Sequence, residues 1–136
     1  MRDIWADIET VLIDESTLQN RIGEMAAQIE ADYADKDDLL LICVLKGAFV
    51  FLSDISRGLK RAHSVDFMGI SSYGKGTTSM GAVQIIMDLK APIENRHVLI
   101  VEDIIDSGRT LDYMRRNLLA RSPASLRICS LLNKPA

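Results

Sequence analysis

Seven consecutive apolar residues, Leu39 to Leu45 (LLLICVL), restrict the folds open to this chain more than any other stretch. A run of strand length with no polar alternation suits a parallel strand covered on both faces. The flanking sequence supplies the covers. Leu18, Ile22, Met25, Ile29 and Tyr33 recur at three- and four-residue intervals, which predicts an amphipathic helix over 16–33, opened by a capping box of Ser16 and Gln19. After a turn at Lys46 and Gly47, helical spacing returns with Phe49, Leu52, Ile55 and Leu59. Ser64 to Ser71, Val83 to Leu89, His97 to Glu102 and Leu126 to Leu132 read as further strands, and a third helix starts at about Thr110 with Leu111, Met114, Leu118 and Leu119. Strands alternating with helices predict an α/β fold, a mostly parallel central sheet flanked by helices.

A chain of 136 residues, 48% of them hydrophobic, has the size of one domain over 1–136 with its core at about 39–133. Its net charge of −3 offers no uniform attraction to nucleic acid or to an anionic membrane, so any phosphate must be bound locally. No nucleic-acid or membrane partner is expected. The two cysteines, Cys43 and Cys129, sit in apolar strand-like runs, where a thiol behaves as a small hydrophobe, and a reducing compartment is the default. Met1 to Glu9 carries acids where a signal peptide needs a basic region, and no window reaches membrane-spanning length; a cytoplasmic protein is expected.

Two stretches carry candidate chemistry. Val98 to Thr110 (VLIVEDIIDSGRT) places Glu102 and Asp103 at the carboxyl end of a buried strand, followed by a small-residue turn before a helix. Ligands of open α/β sheets bind at that edge. Gly108 permits a tight turn, the helix start presents N–H groups, and the Ser107 and Thr110 hydroxyls add donors, which together make a phosphomonoester cradle. Adjacent carboxylates suit paired ribose hydroxyls or a hydrated divalent cation. Acids after a strand also cap turns, and the pair alone does not separate the two uses. The second stretch, Ser71 to Gly81 (SSYGKGTTSMG), is rich in glycine and hydroxyls with little apolar surface, which predicts a mobile loop. Its GKGTT lacks the spacing of a nucleotide P-loop and precedes a strand, not a helix.

VLIVEDIIDSGRT resembles the thirteen-residue phosphoribosyl pyrophosphate signature of type I phosphoribosyltransferases. The likeness continues through LLLICVLKGAFVF (Leu39 to Phe51), DFMGISSYG (Asp66 to Gly74) and LLNKP (Leu131 to Pro135), which are similar to the bacterial hypoxanthine or hypoxanthine-guanine branch. The resemblance implies that Glu102 and Asp103 hold the ribose hydroxyls and bind Mg2+, directly or indirectly. It implies that Asp106 stands near N7 of the purine as the catalytic base and that Asp106, Ser107, Gly108, Arg109 and Thr110 grip the 5′-phosphate. Lys46 and Gly47 would meet pyrophosphate through a loop whose leading peptide can be cis. Ser72 and Tyr73 would close with the mobile loop over the reaction centre. Ile105 and Lys134 would hold the purine, with Lys134 reading O6. The implied activity is purine salvage: hypoxanthine or guanine and phosphoribosyl pyrophosphate give IMP or GMP, in a homodimer or homotetramer.

In that family the pattern continues past the lysine with a further strand, a stacking aromatic, an acid near Mg2+ and a late arginine, whereas this sequence stops at Ala136. The C-terminal part of the family fold is therefore expected to be absent, with ligand binding kept and purine turnover poor unless another chain supplies the segment. Two alternatives use the same fold: an incomplete or inactive phosphoribosyl pyrophosphate-binding domain, and an RNA-binding attenuator-like regulator. The second needs a basic face that this composition does not suggest.

Overall fold

In the computed structural model, residues 13–72, 83–105 and 108–133 are described. The apolar run forms β1 (Leu39–Leu45), the central strand of a five-stranded sheet. Helix α1 (Glu15–Asp32) precedes it, and α2 (Phe49–Gly58) carries the chain to β2 (Ser64–Ser72). Then follow β3 (Val83–Met87), β4 (His97–Ile105), α3 (Arg109–Leu119) and β5 (Ser125–Asn133). The sheet order is β3-β2-β1-β4-β5. β1 pairs parallel with β2 and β4, and β4 with β5; only β3 runs antiparallel, against β2.

Both faces of β1 are covered, as its uninterrupted apolar run demands. Leu39, Leu41 and Cys43 pack with Ile22, Met25 and Ile29 of α1, Phe51, Leu52 and Ile55 of α2, and Leu99 and Val101 of β4. Leu40, Ile42 and Val44 turn to the opposite layer, with Met68, Val98, Ile100, and Met114 and Leu118 of α3. The period of two along a strand thus divides one run between two cores. Each fully buried Leu or Ile adds about 1.5–3 kcal/mol over its exposed state, so β1 and β4 are the most firmly held parts of the scaffold.

The start of α1 corrects the expected capping box. The cap is Asp14, whose Oδ1 accepts the Thr17 N–H at 2.7 Å, and Ser16 already lies within the first turn. A carboxylate placed there serves both the unpaired N–H and the positive end of the helix, which a serine hydroxyl two residues later does not. β3 ends at Met87, short of the expected Leu89. β4 runs three residues past Glu102, and α3 starts at Arg109. The Ser71 to Gly81 loop falls almost wholly outside the described residues. Among those described, no helix is long and apolar enough to cross a membrane.

This topology fixes where a ligand can sit. From β1 the chain crosses through α2 to β2 on one side, while β4 lies on the other side of β1. Connections leaving the carboxyl ends of β1 and β4 therefore diverge and leave a crevice between them.

Candidate functional site

Lys46 and Gly47 leave the carboxyl end of β1, and the Leu45–Lys46 peptide is cis. Both residues are exposed. Across the crevice, β4 presents Glu102 and Asp103, each half-buried. Gly47 and Asp103 meet there: a Cβ built on Gly47 would stand 3.1 Å from Asp103 Oδ2 and 3.5 Å from Oδ1. Residues 56 apart in sequence thus meet at the floor of the crevice, and neither β1 nor β4 alone forms that contact.

The sequence placed the acid pair at a fraying strand end, but β4 continues through Ile105. Its ladder with β5 holds to the tip, pairing Glu102 with Ser130, Ile104 with Leu132 and Ile105 with Asn133. Strict alternation would separate the two carboxylates, yet Asp103 stays close enough to act on the Glu102 carboxyl, and Asp103 Oδ1 accepts the Ile104 N–H at 2.8 Å. Burial, reinforced by the neighbouring Asp103 carboxyl, pushes the Glu102 carboxyl up to about 7. Glu102 therefore keeps its proton up to near neutrality, and its ionised form gains from an arriving cation or from hydroxyl donors. Among the described residues no group of three His, Cys, Asp or Glu side chains could hold a metal by itself. A hard divalent cation that draws its remaining oxygens from water and a bound phosphate fits a two-carboxylate site, and Mg2+ has that habit.

Gly108 precedes α3 with φ of 80°, a conformation that other residues adopt only at a cost. Gly108 is the N-cap residue and has no side chain to cap the helix, and its carbonyl accepts the Asp112 N–H at 2.8 Å. Arg109 is exposed and Thr110 half-buried at that start. Of the other expected site residues, Tyr73, Asp106, Ser107 and Lys134 lie outside the described residues, and for Ser72 and Ile105 only the backbone is described. The Ile105–Asn133 pairing brings the chain leading into Lys134 beside the end of β4. Ser130, in register with Glu102, is a neighbour that sequence reasoning missed; its Oγ donates to the Leu132 carbonyl at 2.7 Å. A separation of 28 positions leaves no local signal for it.

The thiols have no nucleophilic part. Burial, with the nearby Glu102 and Asp103 charges, pushes Cys43 up to about 11, and burial pushes Cys129 to about 11 as well, so both stay protonated at neutral pH. They share one row of the sheet with Val101 between them, two strand spacings or about 9.5 Å apart, too far for a disulfide. A cavity of about 320 Å³ lies between α1 and β5, lined by Arg21, Tyr33 and Arg127 among others, and includes neither Gly47 nor the acid pair.

The phosphoribosyl transferase domain model matches residues 14–136, from the cap of α1 to the last residue. The chain belongs to the phosphoribosyl transferase family. It is 48% identical over 134 residues to the hypoxanthine-guanine phosphoribosyltransferase of Mycobacterium bovis, a match covering 95% of this chain and 66% of the relative. It is 46% identical over 127 residues to the hypoxanthine phosphoribosyltransferase of Escherichia coli, covering 93% and 71%. Among solved structures, a Staphylococcus aureus hypoxanthine phosphoribosyltransferase superposes with a TM-score of 0.89 at 42% identity, covering 97% of this chain and 71% of that one. The chain thus spans about two thirds of the length of the relatives it matches. The mostly parallel α/β sheet expected from the sequence is the phosphoribosyltransferase sheet.

Proposed function

We propose that this phosphoribosyltransferase domain binds phosphoribosyl pyrophosphate in the crevice between β1 and β4 and transfers the phosphoribosyl group to N9 of hypoxanthine or guanine, giving IMP or GMP and pyrophosphate. The observation that carries the proposal is the meeting of Gly47 with Asp103, which joins a loop suited to pyrophosphate with an acid pair suited to ribose hydroxyls. The similarity to named hypoxanthine and hypoxanthine-guanine phosphoribosyltransferases supports the choice of base.

In this reading the backbone of Lys46 and Gly47 receives pyrophosphate. Segment 106–110 grips the 5′-phosphate, with the turn at Gly108 and the start of α3 supplying donors. Glu102 and Asp103 orient the ribose and place negative charge beside a ring that gains cationic character as the C1′ bond to pyrophosphate lengthens. They would also hold Mg2+, which when bound offsets charge on the leaving pyrophosphate. Asp106 takes or shares the purine proton as N9 attacks, while Lys134 donates to O6 and Ile105 packs against the base. A donor aimed at O6 selects 6-oxopurines, because adenine would leave it unpaired. Ser72 and Tyr73 cover the reaction centre. The chain acts in the cytoplasm as a homodimer or homotetramer, for which exposed apolar side chains such as Phe49, Val50 and Ile86 supply surface.

Isothermal titration with phosphoribosyl pyrophosphate, with and without Mg2+, tests the ligand. Saturable binding strengthened by Mg2+ is expected. Lack of binding under both conditions would remove the basis of the proposal.

A further inference from the structure

We infer that Gly47 is a positioning residue for Asp103: the missing side chain lets the turn after β1 close against the acid pair and sets the direction of the Asp103 carboxylate. Its backbone does not require glycine, since among the described glycines only Gly108 has a positive φ. What a side chain would meet does. The atoms nearest a Cβ at Gly47 are Asp103 Oδ2, Oδ1 and Cγ at 3.1, 3.5 and 3.6 Å, whereas Gly58 and Gly69 meet apolar side chains at 3.0 and 3.2 Å, and Gly23 and Gly108 have nothing within 4 Å. A methyl group there forces the carboxylate to move by a few tenths of an ångström. Moving it costs the bond in which Oδ1 accepts the Ile104 N–H at 2.8 Å, and the Glu102 carboxyl stands beside it on β4. The turn and the acid pair therefore form one unit, and a shift at Gly47 reaches Glu102 through Asp103.

This inference rests on the proposed function for its consequence, but the contact has a test of its own. Gly47→Ala and Gly47→Val are made in the wild-type chain and in Asp103→Ala, which empties the space facing Gly47. Unfolding midpoints are measured together with phosphoribosyl pyrophosphate affinity in Mg2+. In the wild-type background the substitutions lower the midpoint, Val more than Ala, and weaken binding about tenfold; with Asp103→Ala present both effects largely vanish. In turnover, KM for phosphoribosyl pyrophosphate rises while KM for the purine stays unchanged. Equal losses in both backgrounds would overturn the inference and leave close approach of pyrophosphate as the reason for the glycine. Should the wild-type chain bind no phosphoribosyl pyrophosphate, the functional reading falls, and the stability cycle still decides whether Gly47 acts through Asp103.

Discussion

Asp103 stands beside Glu102 on β4, and burial of Glu102, reinforced by that neighbouring carboxyl, pushes the Glu102 carboxyl from 4.5 to about 7. Folding therefore favours the protonated form of Glu102. The stability this group contributes is complete below about pH 4.5 and is lost as pH rises to about 7, because the folded state must then give up a proton it holds more tightly than the unfolded chain does. Glu102→Gln removes that dependence. Denaturant titrations from pH 4.5 to 8 should show the variant gaining on the wild type up to about pH 7, with a constant difference above it. A constant difference across the whole range would contradict the raised Glu102 carboxyl.

Asp14 supplies the cap of α1, so Asp14→Ala should cost about 0.5–2 kcal/mol, whereas Ser16→Ala should stay within about 0.5 kcal/mol. Chemical denaturation of the two variants reads this directly. The reverse order would restore the capping box at Ser16.

The two-layer core was legible because LLLICVL has no polar residue to turn outward, and both layers follow from its alternation. The strand identity of residues 103–105 was not, since the acid pair interrupts the apolar run and β5 holds Ile104 and Ile105 by backbone pairing with Leu132 and Asn133. Nor does local sequence separate Asp14 from Ser16, two residues that can both cap a helix. The acid pair, the small-residue turn before α3 and the β1 turn were each visible as motifs. Their assembly was not: whether Gly47 lies against Asp103 depends on β4 returning beside β1, which is a property of sheet order.

Asp106→Asn should lower purine turnover about 10²- to 10⁴-fold while leaving phosphoribosyl pyrophosphate affinity nearly unchanged, because the role proposed for Asp106 is proton transfer at the base. Steady-state rates beside calorimetry separate the two effects. A loss confined to phosphoribosyl pyrophosphate binding would move Asp106 from the base to the phosphate.

The most direct measurement is a base panel: hypoxanthine, guanine, xanthine and adenine, each supplied with phosphoribosyl pyrophosphate and Mg2+, with nucleotide and pyrophosphate both quantified. The account predicts IMP or GMP formed one-for-one with pyrophosphate from hypoxanthine or guanine, however slowly, and no nucleotide from adenine. Nucleotide from adenine in preference to both 6-oxopurines, or phosphoribosyl pyrophosphate bound without nucleotide from either, would contradict it.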